Sequence, residues 1–514
     1  MLFSKINSGA IVGLEVSLVL VEVNIDYQGF PGLSIVGLAG KEVDEAKERV
    51  RSAIKNSGYQ FPARRITVNM SPADIPKKGS LYDLPIAAGI LAASGIIREN
   101  LDEHFVIGEL SLDGKINGVT GAIPMGLFAK NSYKYFCLPF ENAEEVSVIK
   151  GLNIKAFKNL KDLVDFFNKN LYVPSYKTKS MEELIRRKNL ESMLEEEVDF
   201  MNVKGQGPAK RALEIAAAGG HNVSLVGPPG AGKTLLARAL PTILPDLTET
   251  EALEVTKIYS ITGELGRNKI PFIISRPFRA PHHSASKAGI LGGGTPISPG
   301  EISLAHHGIL FLDEFPEFRR EIIESLRQPI ENREIVISRA NSSMVFPSDF
   351  TLVIASNPCP CGNLGNPDKA CSCLENAIKR YHEKLSGPMA DRIDMHVYCY
   401  PVNLKYLSQE AGDERSSEIK KRVQKARDIQ NIRYQNEENI FYNSDVPVAL
   451  VSKYCVLNSE AQIFLTESSL KLKFSARSYH KVLKIARTIA DLEGEVIILP
   501  KHISEAIQYR LSTL

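Results

Sequence analysis

The chain has 514 residues, a hydrophobic content of 44%, a charged content of 24% and a formal net charge of +2. This length suits about three domains with well-filled cores, and the composition is that of an ordinary globular protein. The small net charge excludes nucleic-acid binding through overall positive charge, so any DNA site must rest on local clusters. No apolar run approaches the roughly 20 residues of a membrane span, and Met1–Lys5 does not begin a secretory leader. We therefore expect a cytoplasmic protein with no membrane segment.

Residues 1–168 read as alternating strands and helices. Period-two patterns rich in β-branched residues predict strands, and charged segments with apolar residues at helical spacing predict helices. The predicted strands are 16–23, 32–37 and 65–70, the helices are 42–56 and 84–97, and 105–116 is a hairpin turning at Asp113-Gly114. This pattern predicts an α+β domain. Residues 169–198 are rich in Lys, Ser and Glu and are predicted to be a linker.

The clearest motif follows the apolar strand Val223–Val226. It reads Gly227-Pro228-Pro229-Gly230-Ala231-Gly232-Lys233-Thr234 and is followed by apolar residues at helical spacing. A strand, a G-x-x-x-x-G-K-T loop and a helix form the phosphate loop of P-loop NTPases, because backbone N–H groups and the helix start bind phosphates. Lys233 is predicted to reach the β- and γ-phosphates of ATP, and the Thr234 hydroxyl to bind Mg²⁺. The alternative, a plain glycine-rich turn, explains fewer of these residues.

Two later strands end in polar side chains that suit the same site. The apolar strand 309–312 is followed by Asp313 and Glu314, and the strand 350–356 is followed by Asn357. Asp313 is predicted to hold the Mg²⁺ shell, Glu314 to polarise the attacking water, and Asn357 to orient that water. The alternative for Asn357 is a turn residue before Pro358. A helix is predicted at 318–327, after the carboxylates.

Four of the seven cysteines crowd into one short stretch of the chain. They are Cys359, Cys361, Cys371 and Cys373. Two C-x-C pairs on one loop suit a structural tetrahedral Zn²⁺, although C-x₂-C is the commoner spacing. The alternative is four free thiols.

Further elements complete the prediction for the second half of the chain. A helix at 208–218 precedes the phosphate loop. A hairpin of strands 334–339 and 344–346 is predicted before the strand 350–356. Residues 401–514 are predicted to form a helical lid, with helices at 417–434, from 475, and at 501–509.

Several of these motifs carry a resemblance to AAA+ ATPases. Arg279-Ala280-Pro281-His282-His283, the stretch 300–308 and Phe311-Leu312-Asp313-Glu314-Phe315-Pro316-Glu317-Phe318 resemble the ComM/YifB branch of the magnesium-chelatase-like AAA+ family. The resemblance covers nearly the whole chain. It implies an α/β multidomain protein with an AAA+ core at 199–400, a helix-2 insert, a pre-sensor hairpin and a C-terminal lid at 401–514. It also implies that Arg392 supplies an arginine finger to a neighbouring subunit and that Arg477 is a second nucleotide-sensing arginine. Val203 and Gln206, before the helix at 208–218, are the contacts that it implies for the adenine.

The N-terminal segments resemble the proteolytic domain of Lon and its chelatase-family relatives. Pro76-Lys77-Lys78-Gly79 and the stretch 108–114 carry this resemblance. A Lon-type protease needs a serine nucleophile and a lysine that deprotonates it. Tyr82-Asp83-Leu84 and Ala122-Ile123-Pro124 stand near those places, so this domain is predicted to be a non-proteolytic scaffold.

The resemblance implies a ring-shaped motor, a hexamer, that couples ATP hydrolysis to movement along single-stranded or branched DNA. Its expected role is a helicase that drives branch migration during natural transformation, with Lys287 and Arg339 as candidate phosphate contacts. The alternative is a chelatase-type motor that remodels a protein partner for metal insertion. An ATP-dependent protease is disfavoured by the missing Ser/Lys pair.

Overall fold

A computed structural model describes residues 2–37, 40–180, 183, 198–265, 271–294, 297–339, 342–365, 369–385, 389–401 and 414–511. These residues form two compact units. The first comprises Met1–Asn189 and Glu249–Ile274, and the second comprises Leu190–Thr248 and Ser275–Leu514. Within the predicted linker, residues 181–182 and 184–197 lie outside the described part of the chain. No helix among the described residues is long and apolar enough to cross a membrane.

The strands and helices are numbered here in chain order. The strands are β1 (Phe3–Val12), β2 (Glu15–Asp26), β3 (Gly32–Val36), β4 (Arg65–Ser71), β5 (His104–Val106), β6 (Glu109–Leu110), β7 (Ile116–Asn117), β8 (Tyr135–Pro139), β9 (Ile154–Phe157), β10 (Val223–Val226), β11 (Phe278–Arg279), β12 (Gly292–Gly293), β13 (Ser298–Pro299), β14 (Gly308–Leu312), β15 (Glu334–Arg339), β16 (Ser342–Pro347), β17 (Phe350–Ser356) and β18 (Met395–Tyr398). The α-helices are α1 (Lys41–Asn56), α2 (Asp83–Ala93), α3 (Ala122–Ser132), α4 (Ala143–Val146), α5 (Leu160–Phe167), α6 (Gly207–Gly219), α7 (Lys233–Ala239), α8 (Glu249–Thr262), α9 (Lys287–Leu291), α10 (Glu301–Leu304), α11 (Arg320–Ser325), α12 (Arg327–Asn332), α13 (Glu375–Leu385), α14 (Ser416–Tyr434), α15 (Val448–Tyr454), α16 (Ser459–Lys471), α17 (Ala476–Glu493) and α18 (Pro500–Leu511).

The first unit is built on a mixed sheet with the strand order β3-β4-β2-β1-β5-β8-β9. In β2 every second side chain from Val19 to Ile25 is buried, which is the period-two pattern that predicted this strand. The predicted helix at 84–97 is buried on all sides but ends at Ala93. It ends there because Gly95 adopts φ +78° and its N–H donates to the Ala92 carbonyl, which terminates the helix.

The predicted hairpin over 105–116 is wrong in its first strand. The turn at Asp113-Gly114 is present, and it joins the short antiparallel strands β6 and β7. Strand β5, however, lies between β1 and β8 in the large sheet and runs parallel to both. Phe105 therefore pairs with Asn7 and Phe136, which are remote in sequence.

Residues Glu249–Ile274 belong to the first unit although they lie between segments of the second in sequence. The backbone N–H of Gly121 donates to the Ser260 carbonyl at 3.0 Å, and the N–H of Ile123 donates to Ser260 Oγ at 3.3 Å. Ser260 Oγ in turn donates to the buried carboxylate of Glu145. Helix α8 is thus tied to the start of α3 by hydrogen bonds to main-chain groups that the helix start leaves open.

The second unit is organised around a parallel sheet with the strand order β11-β14-β17-β10-β18. All residues of β10 and β14 are buried, as expected for central strands of a parallel sheet. The register pairs Val226 of β10 with Ser356 of β17, and Leu312 of β14 with Ile354 of β17. The carboxyl ends of these three strands therefore lie side by side.

The helix predicted at 318–327 differs from the observed structure. A 3₁₀ turn at Phe315–Glu317 is followed by α11 and then by α12. Pro329 in the first turn of α12 has no backbone N–H to donate to Ser325, so one continuous helix cannot pass this point.

The predicted hairpin is confirmed as the antiparallel pair β15–β16, and its turn residues 340–341 lie outside the described residues.

The helices predicted for residues 401–514 are confirmed as α14, α17 and α18. Ser475 caps α17 by accepting the Ser478 N–H, and Gly494 ends it at φ +76°. Two basic residues of α14 serve packing, because Arg422 pairs with the buried Glu214 and Arg427 is buried against the Tyr442 ring at 3.6 Å.

Candidate active site

The sequence-predicted phosphate loop lies at the carboxyl edge of the parallel sheet, between β10 and α7. Gly230 and Gly232 adopt φ angles of +78° and +81°, a region that a side chain disfavours. A Cβ atom at Gly227 would lie 2.3 Å from the carbonyl oxygen of Cys399. Glycine at these positions therefore allows the loop to turn tightly and the backbone after β18 to approach it.

Lys233 is the buried cation of this loop, with 8% of its surface exposed. Its Nζ donates to the Gly227 carbonyl at 2.6 Å, the Pro228 carbonyl at 3.0 Å and Asn357 Oδ1 at 3.2 Å. Burial lowers the pKa of Lys233, while the neighbouring acidic groups, Asp313 among them, act in the opposite direction. The ammonium group thus links the phosphate loop to the end of β17.

The two carboxylates after β14 lie opposite the loop. Thr234 Oγ1 donates to Asp313 Oδ2 at 2.8 Å, and the Glu314 N–H donates to Asp313 Oδ1 at 2.9 Å. Glu314 itself adopts φ +50°, a conformation that few non-glycine residues take. Its exposed carboxylate lies 3.3 Å from His283 Nδ1, measured to Oε2. The structure therefore brings Lys233, Thr234, Asp313, Glu314 and Asn357 to one place.

These residues line a cavity of about 400 Å³, together with Pro229, Gly230, Ala231, Gly232, Leu235 and Ser356. The donor set fits a nucleotide with Mg²⁺. The loop offers backbone N–H groups and one ammonium group for phosphates, and adjacent hydroxyl and carboxylate oxygens are the hard ligands that Mg²⁺ prefers. This pairing of hydroxyl and carboxylate is the observation that supports the fit.

The candidate adenine contacts behave differently from each other. Val203 is 2% exposed and packs in the core of the second unit, so it offers no surface to a ligand. Gln206 donates from Nε2 to the carbonyls of Ala231, at 3.0 Å, and Tyr400, at 2.6 Å. Its amide thus joins the phosphate loop to the segment after β18.

The four clustered cysteines converge directly after Asn357. Cys359 Sγ lies 3.4 Å from Cys361 Sγ and 3.6 Å from Cys371 Sγ, and all four sulfurs lie within 4.8 Å of one another. Four thiolates around Zn²⁺ with Zn–S bonds of about 2.3 Å stand about 3.8 Å apart, so the donor set fits this ion. Hydrogen bonds from the backbone of Asn363 and Ser372 lower the pKa of Cys361 to about 5, whereas desolvation and the neighbouring thiols raise the pKa values of Cys371 and Cys373, so Cys361 forms its thiolate before those two.

The cysteine loop touches the phosphate loop. Gly362 adopts φ +80°, and a Cβ atom there would lie 2.6 Å from Pro229 Cδ. His382 Nε2 lies 2.8 Å from the carbonyl oxygen of Pro358, which follows Asn357. The position of the cysteines directly after Asn357 is visible in the sequence, but the close approach of Gly362 to Pro229 is not.

Arg392 and Arg477 are not at the carboxyl edge of the sheet. Arg392 Nη2 lies 2.6 Å from Glu331 Oε1, and Arg477 Nη2 lies 3.5 Å from the same atom. The Arg392 carbonyl accepts from Nδ2 of Asn222, the residue that precedes β10. Both arginines line a cavity of about 590 Å³ at the amino ends of the strands. The structure therefore brings these two arginines together, but at the edge opposite Lys233.

The two candidate DNA contacts are exposed and belong to neighbouring segments. Lys287 begins α9, and Arg339 ends β15. A Cβ atom at Gly292, just after α9, would lie 2.6 Å from Ile337 Cδ1 of β15, and one at Gly293 would lie 3.8 Å from Arg339 Nη2. The segment that carries Lys287 thus packs against the hairpin that carries Arg339.

Comparison with known proteins shows the family along most of the chain. Residues 199–407 match the family described as magnesium chelatase, subunit ChlI; residues 21–142 match subunit ChlI of Mg-chelatase; and residues 413–510 match the C-terminal part of that subunit. The chain is 42% identical to competence protein ComM of Haemophilus influenzae, over 98% of this chain and 96% of that protein. It is 40% identical to protein YifB of Escherichia coli, over 99% and 97% respectively. It is also 27% identical to the magnesium-chelatase 38 kDa subunit of Rhodobacter capsulatus, over 31% of this chain and 50% of that subunit. The chain belongs to the magnesium-chelatase-like AAA+ ATPases, in the branch that contains ComM and YifB.

Proposed function

We propose that this protein is an ATP-driven ring motor, a hexamer, that moves along single-stranded or branched DNA and promotes branch migration during natural transformation. Its competence-related relative, 42% identical over 98% of the chain, supports this role. The observation that carries the proposal is the separation of two sets of residues on one sheet. Lys233, Thr234, Asp313 and Glu314 lie at its carboxyl edge, and Arg392 lies at its amino edge.

This separation is too large for one chain to close. Strand β10 has four residues between the two edges, and at about 3.3 Å per residue it is roughly 13 Å long. An arginine side chain does not reach that far from the amino edge. Head-to-tail copies in a closed ring would place Arg392 and Arg477 of one subunit beside the phosphate loop of the next. Catalysis then requires two chains.

The roles of the residues follow from their positions. Mg²⁺–ATP, when bound, supplies the phosphate that is transferred to water. Thr234 and Asp313 would hold the ion, Lys233 would donate to the phosphate oxygens, and Asn357 would orient the water. Glu314 takes the proton of the attacking water. Arg392 of the neighbouring subunit neutralises the charge that develops on the transferred group, an effect worth roughly 10³-fold or more in turnover.

A subunit-mixing experiment tests the shared site. Lys233→Ala removes the phosphate contact, and Arg392→Ala removes the arginine of the next interface, so each variant alone should lose turnover. In mixed rings about one interface in four joins an intact phosphate loop to an intact Arg392, and activity should return. Mixing Lys233→Ala with Glu314→Gln is the control, because both lesions lie on the same face and no competent interface forms. Absence of recovery in the first mixture would contradict the shared site.

The DNA-dependent part of the proposal needs its own test. ATP turnover and strand displacement should rise with single-stranded or branched DNA and fall as salt increases, because phosphate contacts release counterions. Lys287→Ala and Arg339→Ala should weaken DNA binding without changing turnover in the absence of DNA. Turnover that does not respond to DNA at any salt concentration would favour the chelatase-type motor acting on a protein partner.

We also propose that the first unit is a scaffold related to the Lon proteolytic domain and has no protease activity. Ser80 Oγ donates to Glu109 Oε2, and the buried Lys77 donates from Nζ to the Pro72 carbonyl. Serine and lysine thus have separate partners, and no Ser–Lys nucleophile pair forms between them. ATP-dependent cleavage of casein by the purified protein would contradict this.

Finally, we propose that Cys359, Cys361, Cys371 and Cys373 bind a structural Zn²⁺. Their sulfur–sulfur distances support this proposal. Metal analysis of protein purified without added zinc should give roughly one Zn²⁺ per chain.

We also propose that the chain divides into four parts. These are a first domain at 1–168, a linker at 169–198, an ATPase core with a helix-2 insert and a pre-sensor hairpin at 199–400, and a lid at 401–514.

A further inference from the structure

The first unit contains a cavity of about 570 Å³, and none of the residues that line it belongs to the candidate active site. Its walls come from β5, β8, β9, α5 and the segment 169–173 that follows α5. Sites for small molecules have volumes of roughly 300 to 1,000 Å³, so this cavity is large enough for one. Its side chains indicate which kind of molecule fits.

Three aromatic side chains surround one ammonium group in this cavity. Lys155 Nζ lies 5.6 Å from the ring centroid of Tyr135, 5.8 Å from that of Phe166 and 5.9 Å from that of Tyr172. Tyr172 is 86% exposed and therefore stands at the open side. Aromatic rings in such an arrangement offer faces and edges against which a planar ring can pack.

Lys155 is a buried cation, with 7% of its surface exposed. An ammonium group has three N–H donors, and the Val173 carbonyl accepts one of them at 2.7 Å. Burial lowers the pKa of Lys155; the Cys137 thiol opposes this effect, and no carboxylate among the described residues does so. Because a buried charge without a counterion is costly, an anionic group in the cavity would stabilise this ammonium.

His104 supplies a second polar group beside the same rings. Its ring stacks on Tyr135 with centroids 5.0 Å apart and meets the Phe166 ring at 6.0 Å. Burial lowers the pKa of His104 to about 4, so the imidazole is neutral at pH 7. Its Nδ1 is buried and has no hydrogen-bond partner in the described part of the chain. Since His104 and Lys155 both lie about 6 Å from the Phe166 ring, one small ligand can reach both.

The rim of the cavity limits the charge of that ligand. Lys134 pairs with Glu103 at 3.2 Å, and Lys169 pairs with Glu99 at 2.5 Å. Of the three described lysines that line the cavity, Lys155 is thus the one without a carboxylate partner. The two rim carboxylates would repel a phosphate dianion or a nucleic-acid strand. The arrangement favours a small molecule with a single negative charge.

We propose that this cavity binds a small aromatic carboxylate. The ligand's ring packs against Tyr135 and Phe166, with Tyr172 at the open side. Its carboxylate accepts hydrogen bonds from Lys155 Nζ and from the Nδ1–H of His104. The site belongs to the first unit, and the inference does not depend on ATP hydrolysis.

Calorimetric titration of the full chain in saturating Mg²⁺–ATP tests the ligand class while the nucleotide site is filled. The probes are benzoate, 4-hydroxybenzoate and indole-3-carboxylate, each compared with its neutral amide. At least one acid should bind about tenfold or more tightly than its amide, because only the acid forms a charge-assisted hydrogen bond with Lys155.

Four variants locate the bound acid. Lys155→Met should weaken its binding about tenfold or more and leave the affinity for the amide within about twofold. His104→Phe keeps a stacked ring but loses the nitrogen, and should weaken binding about twofold to tenfold. Tyr172→Ala removes an exposed ring and should have an effect of similar size. Lys134→Met is the matched control, and it should change the affinity less than about twofold because its ion pair is exposed.

Failure of all three acids to bind at millimolar concentration, or equal affinity for acids and amides, would overturn the proposal. Unchanged affinity in Lys155→Met and Tyr172→Ala would also overturn it, since the acid would then bind elsewhere. Displacement of the acid by thymidine 5′-monophosphate or a thymidylate oligonucleotide that binds more tightly would show a nucleotide site instead. If Lys155→Met does not fold, Tyr172→Ala and the comparison of acids with amides in the wild-type protein decide the question.

Discussion

Replacing Gly362 by alanine tests whether the cysteine loop supports the phosphate loop. Gly362 adopts φ +80°, and a Cβ atom there would lie 2.6 Å from Pro229 Cδ and 2.8 Å from Pro229 Cγ. Real side chains do not come so close, so either the cysteine loop or Pro229 must move. The proline ring is part of the phosphate loop, and its displacement would disturb the N–H groups that bind phosphates.

The size of the effect has two parts. An alanine at positive φ costs about 1 kcal/mol, and a packing clash costs roughly 1 to 3 kcal/mol more. Gly365→Ala separates these parts, because Gly365 adopts φ +75° in the same loop but its nearest neighbour is the Tyr398 hydroxyl at 3.6 Å. If movement of Pro229 relieves the clash, ATP affinity should fall about fivefold to a hundredfold in Gly362→Ala relative to Gly365→Ala.

Titration with a fluorescent ATP analogue measures the affinity, and urea unfolding measures the stability of the same two variants. We expect similar unfolding curves and different dissociation constants. Equal ATP affinity for Gly362→Ala and Gly365→Ala would refute the reasoning, because it would show that the cysteine loop moves and the phosphate loop does not.

Three further predictions concern individual polar side chains. Burial lowers the pKa of His221 to about 4, whereas a histidine in the unfolded chain has a pKa of about 6.5. As the pH falls from 7 towards 4, the unfolded chain therefore takes up a proton at this residue before the folded protein does. The free energy of unfolding decreases over that range. Urea unfolding should show about 2 kcal/mol lost to this residue between pH 7 and pH 5, and His221→Gln should lack that part of the slope. Cys361→Ser should lose bound zinc by metal analysis, whereas Ser372→Ala in the same loop should retain it. Asp491→Asn leaves Arg433 and Arg487 without their buried carboxylate, so the free energy of unfolding should fall by roughly 3 to 5 kcal/mol, and a change below 1 kcal/mol would contradict this.

The nucleotide site could be predicted from sequence because each of its parts is a local pattern. Each of these patterns is an apolar strand followed within about ten residues by a polar side chain, which is Lys233, Asp313 or Asn357. Because parallel strands of one sheet end at the same edge, the three side chains are expected to lie close together. The structure places these three residues as that rule requires, with Lys233 Nζ 3.2 Å from Asn357 Oδ1. Their catalytic roles stay predictions.

Pairing between remote segments could not be predicted in this way. The residues 105–107 look like the first arm of a hairpin, yet β5 pairs with β1 about a hundred residues earlier in the chain. Helix α8 lies between parts of the second unit in sequence but belongs to the first. The contact between His283 and Glu314 follows from the β11–β14 register and is not visible in the sequence. Such contacts depend on tertiary packing and leave no periodic trace in the sequence.

The parallel sheet explains why so many parts of the chain meet at the nucleotide site. The segment after each of its strands contributes there: the phosphate loop follows β10, His283 follows β11, Asp313 and Glu314 follow β14, Asn357 and Gly362 follow β17, and Cys399 follows β18. Because every strand runs the same way, none of these segments can shift without altering a contact at the site. The proposed motor function would require this property, because hydrolysis in a motor is coupled to movement of the segments around the nucleotide. The arrangement therefore favours coupling through strand ends, and comparison of Gly362→Ala with Gly365→Ala tests this coupling at the end of β17.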